Sequence, residues 1–214
     1  MIKRAAAIGL VLVAATGCVP ANVSPGMTFA VGLNDYHEEM SRLAARPDRW
    51  PDRQRMAESL KSVYIVTIGG SREFNQLVDL DLRRKEYEIA LRQTAVRPER
   101  AREMKSELER IERAVAELKE IVKEQALNAL SRGTDPARRI ESIAAIGLVH
   151  IALDRFAASG GGFSSPPAQV GPYTVTDLGG VGAIVRTPEG QVYRCATALV
   201  EDAGAGITCE APAK

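Results

Sequence analysis

Residues 101–129, AREMKSELERIERAVAELKEIVKEQALNA, place Ala101, Met104, Leu108, Ile111, Val115, Leu118, Val122, Gln125 and Ala129 at alternating steps of three and four. That is a heptad seam sustained for about four repeats, the pattern of a long amphipathic helix. Charged residues fill the other faces. Like pairs such as Glu103 with Glu107 sit beside mixed ones such as Glu109 with Arg113, so the seam decides stability and surface ion pairs do not. Pro98 stands where a first helical turn tolerates proline. A tight bend between Arg97 and Glu99 therefore joins this helix to its predecessor as an antiparallel hairpin.

Upstream, Ser71 followed by Glu73 starts a long helix through about Ala95, with Phe74, Leu77, Val78, Leu82, Ile89 and Leu91 as its apolar surface. Within it Val78 to Leu82 and Tyr87 to Leu91 alternate, which leaves a hairpin of two strands open, although no Gly, Pro or Asn marks a turn between them. Before it, Asn34 caps a helix to about Ala45 with Tyr36, Met40 and Leu43 on one face. Pro47 closes that helix and Trp50-Pro51 makes a corner. A second helix begins near Asp52 and carries Met56, Leu60 and Val63 inward. The β-branched run Val63 to Ile68 continues it or forms a short strand, and Gly69-Gly70 ends it either way.

Downstream, Ser131-Arg132-Gly133 stops the heptad helix and Thr134-Asp135-Pro136 restarts a helix, with cap and proline in the favoured order. Its middle, Ile143 to Leu153, is apolar almost all round, which makes it the central, buried helix. Ala158 to Pro167 reads as a flexible linker. Tyr173 to Thr176, Ala183 to Arg186 and Gln191 to Cys195 then read as short strands, with Thr187-Pro188-Glu189-Gly190 as a turn and Ile207 to Cys209 as a further strand. Cys195 and Cys209 are expected to bond to each other, closing a loop worth about 3 kcal/mol in the chain-entropy model. The fold class is α+β and mainly α: a helical hairpin or bundle with a long heptad helix, plus a small C-terminal β unit closed by the disulfide. The expected divisions are a leader over 1–17, a tether over 18–33, a helical domain over 34–158, a linker over 159–170 and the β unit over 171–214.

The 214 residues are 45% hydrophobic and 26% charged, as in a folded domain, and the net charge of +1 gives no case for nucleic acid. Basic residues at Arg83-Arg84-Lys85, at Arg97, Arg100 and Arg102, and at Arg138-Arg139 sit beside acids and read as solvated helix faces. The two histidines, His37 and His150, lie in no catalytic motif, and His150 falls on the apolar helix as a packed core residue. His37-Glu38-Glu39 supplies too few ligands for a zinc site by itself, so no metal and no cofactor are expected. The acid pairs Asp79 with Asp81 and Glu38 with Glu39 have no implied cleft, since only 5% of residues are aromatic, Trp50 and Tyr193 among them. Gly69-Gly70, Gly160 to Gly162 and Gly179-Gly180 lack the context of a phosphate loop and read as turns.

Lys3 and Arg4, the apolar run Ala5 to Ala15, and then Thr16-Gly17-Cys18 have the order of a secretory signal. The run is shorter than the roughly 20 residues of a membrane-spanning helix. Ala15-Thr16-Gly17-Cys18 resembles the lipobox of bacterial lipoproteins, with Ala15 where leucine is usual; an ordinary signal peptide cut after Ala15 or Gly17 is the competing reading. The resemblance implies that Cys18 carries a diacylglyceryl group and an N-linked acyl chain such as palmitate. Several chains on one residue make attachment effectively permanent, at about 0.8 kcal/mol for each buried CH₂. Val19 stands where inner-membrane retention uses aspartate, which points to the outer membrane, periplasmic side. The expected role is non-catalytic: structural, scaffolding or binding, with the membrane as one partner through the lipid and a protein as another through the helical seam. An envelope hydrolase with His37 or His150 as base is the alternative.

Overall fold

The computed structural model describes residues 23–44, 52–70, 72–92, 96–132, 134–158, 166–179, 182–200 and 204–210. Five helices, α1 (Pro25–Ala44), α2 (Arg53–Thr67), α3 (Arg72–Arg92), α4 (Pro98–Ser131) and α5 (Arg139–Ala157), precede five strands, β1 (Ala168–Val170), β2 (Tyr173–Asp177), β3 (Gly182–Arg186), β4 (Val192–Val200) and β5 (Gly204–Glu210). The strands form one antiparallel sheet in the order β1-β2-β3-β4-β5. The fold is thus mainly helical with a small C-terminal sheet, and Cys195 is bonded to Cys209 directly across β4 and β5.

The heptad segment is helical for 34 residues, about 50 Å at 1.5 Å per residue, and α3 is its antiparallel partner. Ile111, Val115 and Val122 of the seam are buried, whereas Ala101, Met104 and Leu108 are half-buried. The segment open to a strand hairpin, Val78 to Leu91, lies wholly in α3, because Phe74, Leu77, Val78, Asp81, Leu82 and Arg84 share one inward stripe. Val63 to Thr67 is likewise helical. Tyr64 stacks on Phe74 with ring centroids 4.0 Å apart, and Phe29 meets both rings edge-on.

Two expectations require correction. The tether expected over 18–33 gives way at Pro25, because Pro25 to Leu33 forms the first half of α1 and buries Met27, Phe29, Ala30 and Leu33. The passage looks aperiodic because small residues mark close approaches: a Cβ on Gly26 would stand 3.2 Å from that of Ala145 on α5. Ser24 precedes the proline as a cap, its Oγ accepting from Met27 N at 3.4 Å. Asn34 therefore sits inside a helix and caps nothing; its Oδ1 accepts from Arg155 Nη1 at 3.5 Å.

The linker and the separate β unit also change. Ala168 to Val170 is β1, and residues 159–165 lie outside the described residues. The sheet has no core of its own. Val175, Ala183, Val185, Cys195 and Ile207 turn one face onto α5 and α1, in one continuous core with the helices. Gly147 makes this docking close: a Cβ there would lie 2.4 Å from Cβ of Val175, so only glycine lets α5 approach β2. Eleven of the 19 residues of α5 are buried, as expected of a central helix.

Candidate functional site

The chemistry of the described residues concentrates where α5 ends. Asp81 and Arg84 lie three apart on α3, hence on one helical face, and each side chain is only 1% exposed. Arg84 Nη2 donates to Asp81 Oδ1 at 2.6 Å and to the Phe156 carbonyl at 2.9 Å, and Nη1 donates to the Ala157 carbonyl at 2.7 Å. The last carbonyls of a helix lack intrahelical partners and carry the negative end of its dipole, so the guanidinium is a cationic cap on α5. Tyr36 OH donates to the other Asp81 oxygen at 3.3 Å, and its ring stacks on Phe156. Burial, reinforced by the Asp81 charge, holds the Tyr36 phenol well above its ordinary pKa of 10.0, so it stays a donor.

Beside this pair, His37 is 7% exposed. Burial and then Lys85 lower its pKa from the ordinary 6.5, with Arg84 and Arg155 acting the same way and Asp81 opposing them, so the imidazole is neutral. Arg155 crosses from α5 to bond Asp177 of β2, tying the sheet to the same corner. The Nε atoms of Arg84 and Arg155 are buried without a partner.

A second group lies between α4 and α5. Lys119 and Lys123 place their Nζ atoms 2.8 and 2.6 Å from Asp154 Oδ1, with Glu120 close to both lysines. Burial works to raise the Asp154 carboxyl, yet hydrogen bonds from both lysines outweigh it and hold the group below 3.8. Nearby, burial and then Lys123 lower His150, whose Nε2 is buried without a partner.

Both groups consist of ions paired with one another, the first in the core and the second at a partly exposed seam where Glu120 reaches solvent. A general base must reach the proton it removes, and neither histidine lines the groove of about 540 Å³ that runs along the α3–α4 hairpin between Arg83, Tyr87, Arg100, Met104 and Arg110. Among the described residues, no three His, Cys, Asp or Glu side chains come together as a metal site would require.

The other sequence candidates disperse. Asp79 pairs with Lys61 at 2.7 Å on the surface, so the Asp79 and Asp81 carboxylates are separated. Glu38 and Glu39 both pair with Arg42. Tyr193 OH donates to Gln191 Oε1 at 3.1 Å. Gly69 and Gly179 have φ of 108° and 77°, as turns require, whereas Cys18, Trp50, Gly160 to Gly162 and Gly180 lie outside the described residues. Arg84 corrects the reading of Arg83-Arg84-Lys85 as a solvated face. Arg83 is solvated, stacking on Tyr87 and pairing with Glu107, but Arg84 is in the core. The signal was present in the helical period: continuing Phe74, Leu77 and Val78 by three and four arrives at Asp81 and Arg84. No helix among the described residues is long and apolar enough to cross a membrane. No family model, curated protein or solved structure matches the chain.

Proposed function

We propose that this chain is a lipoprotein of the cell envelope, acylated at Cys18 and held at the periplasmic side of the outer membrane, with a non-catalytic scaffolding or binding role. One observation supports the non-catalytic half: the ionisable groups of both clusters are bonded to one another, and the groove lies elsewhere. The binding half is supported by the hairpin. Beyond Glu86, which Arg53 of α2 holds at 2.8 Å, residues 88–92 of α3 and 98–110 of α4 contain no fully buried side chain, yet they carry Ile89, Leu91, Met104 and Leu108. They form an arm of two helices that projects beyond the core, and a heptad seam of this kind takes a further helix from a partner protein.

Mass measurement of the mature N-terminus, with fractionation of the envelope, tests the anchor; an unmodified Cys18 on a soluble protein overturns it. The arm is tested by cross-linking in intact cells. M104E/L108E should abolish the cross-linked adduct while leaving the circular dichroism unchanged. An adduct of undiminished yield removes the arm from any binding role.

A further inference from the structure

We propose that the end of the molecule where α1 begins rests on a lipid bilayer through Ile65 and Val66 of α2 and Leu199 of β4, a surface role that rests on the reading of Cys18 as acylated. The first turn of α1 is fastened to the body. Val23 bridges Gly206, Ser24 N donates to the Ala205 carbonyl at 2.9 Å, and Ala205 N donates to Thr28 Oγ1 at 3.1 Å. Only residues 19–22 join Cys18 to this point, and five residues span at most about 18 Å when fully extended. The acylated residue therefore cannot lie farther than that from Val23, and this end of the molecule must face the bilayer that receives its acyl chains.

The same end carries apolar side chains that the core does not use. α2 runs against α1 with the Phe29 and Tyr64 rings 5.0 Å apart, and a Cβ on Gly32 would sit 3.3 Å from Val63. That antiparallel register sets Ile65 and Val66 beside the first turns of α1. On its other flank, Leu199 is the cross-strand partner of Ala205. Ile65 is 54%, Val66 82% and Leu199 80% exposed, three of the five exposed large hydrophobic side chains among the described residues. Their placement on either side of the tether root matches the headgroup–acyl boundary of a bilayer, where binding strengthens with the apolar area buried.

The test uses the full-length acylated protein in phosphatidylethanolamine–phosphatidylglycerol vesicles with bromine on the acyl chains. An environment-sensitive fluorophore is attached at V66C, at L199C or, on the arm, at M104C, and mass measurement confirms the Cys195–Cys209 bond and the acylation of Cys18. Emission should be lost at 66 and 199 and retained at 104, and high salt should not restore it. In the unsubstituted protein, amide exchange in the last turn of α2 should slow when vesicles are added. Acylated protein whose labels at 66 and 199 are quenched no more than at 104 overturns the proposal and leaves the anchor standing. Cross-linking of a photoreactive probe, placed at 66 or 199 instead of the fluorophore, to a second copy or another protein assigns the surface to that protein, which also overturns it. An unmodified Cys18 overturns anchor and surface together.

Discussion

Replacing Arg84 by methionine keeps most of the stem and removes the charge. Asp81 would then be a carboxylate 1% exposed, bonded only to Tyr36 and 4.0 Å from Lys85, and the Phe156 and Ala157 carbonyls would lose their donor. Removing one partner of a buried pair costs about 3–5 kcal/mol, because an uncompensated charge stays behind. Against the 5–15 kcal/mol that typically separates folded from unfolded chains, R84M should shift the urea midpoint steeply downward. D81N should cost less, since Arg84 keeps both carbonyls. The sharper expectation concerns the double substitution D81N/R84M, which removes both charges and leaves Tyr36 an acceptor. The two carbonyls and the new amide N–H groups at position 81 then go unmet, but no buried charge is left alone, and the double variant should be about 1 kcal/mol or more stabler than R84M alone. Urea unfolding followed by far-ultraviolet circular dichroism, with the disulfide intact, measures all three. An R84M variant within about 0.5 kcal/mol of the parent, the range of an ordinary surface change, refutes the argument, as does strict additivity in the double variant.

Gly147→Ala gains about 1 kcal/mol of helix propensity, yet its Cβ meets Val175 at 2.4–2.6 Å, and overpacking of this kind costs about 1–3 kcal/mol. The variant should be no more stable than the parent, and V175A should not rescue it because the Cβ of residue 175 remains; a rise in the urea midpoint in G147A refutes the close docking. Replacing both Cys195 and Cys209 by serine should cost about 3 kcal/mol for the 14-residue separation while the helical dichroism survives, because the sheet shares the helical core; an unchanged midpoint contradicts this. Both histidines have folded pKa values lowered from 6.5 by burial first, and then by Lys85 for His37 and Lys123 for His150. The unfolded chain therefore binds protons before the folded one, so this contribution is complete above about pH 6.5 and declines as the pH falls through that value. H37Q/H150Q should flatten the decline in stability between about pH 7 and 5, and a slope identical to the parent's contradicts it.

The helices were legible where one stripe of large apolar residues repeats. The seam from Ile111 to Val122 and the all-round apolar run of α5 both belong to that class. Pro25 to Leu33 was not legible, because Gly26, Ala30 and Gly32 are inward-facing without being large: they bury backbone against neighbours, and a small residue reads as coil when its partner is unknown. The boundary between helical and β parts failed for a related reason. A strand such as Tyr173 to Asp177 shows which side chains alternate, but not that Val175 will meet a glycine on α5 distant in sequence. At the candidate site the residue types misled. Asp81 and Arg84 were read by charge, which favours solvent, whereas their helical phase put them inside, where the end of α5 supplies two carbonyls that a sequence does not display.

Polarity buried in this way makes α5 a fixed reference within the molecule, and the geometry at its two sides connects the proposed functions. α1 lies along it, with Gly26 opposite Ala145 and Tyr36 on Phe156. At the root of α1, Leu130 near the C-terminal end of α4 approaches within 3.0 Å of where a Cβ on Gly26 would be. α4 therefore begins at the arm and ends beside the tether root, about 50 Å of helix later. A surface resting on the bilayer through Val66 and Leu199 would stand the arm outward, with Arg97, Arg100 and Arg102 near its tip and beyond the reach of the lipid headgroups. The two functional ends would then be joined by one continuous helix whose middle, Ile111 to Val122, is locked in the core, so a load on the arm passes to the anchored end without crossing a flexible joint. Interrupting α4 at Ala116 with a glycine pair should leave acylation intact and loosen the arm, which hydrogen exchange at Met104 relative to Val122 would register; equal protection at both sites would show that the arm does not depend on the body for its rigidity.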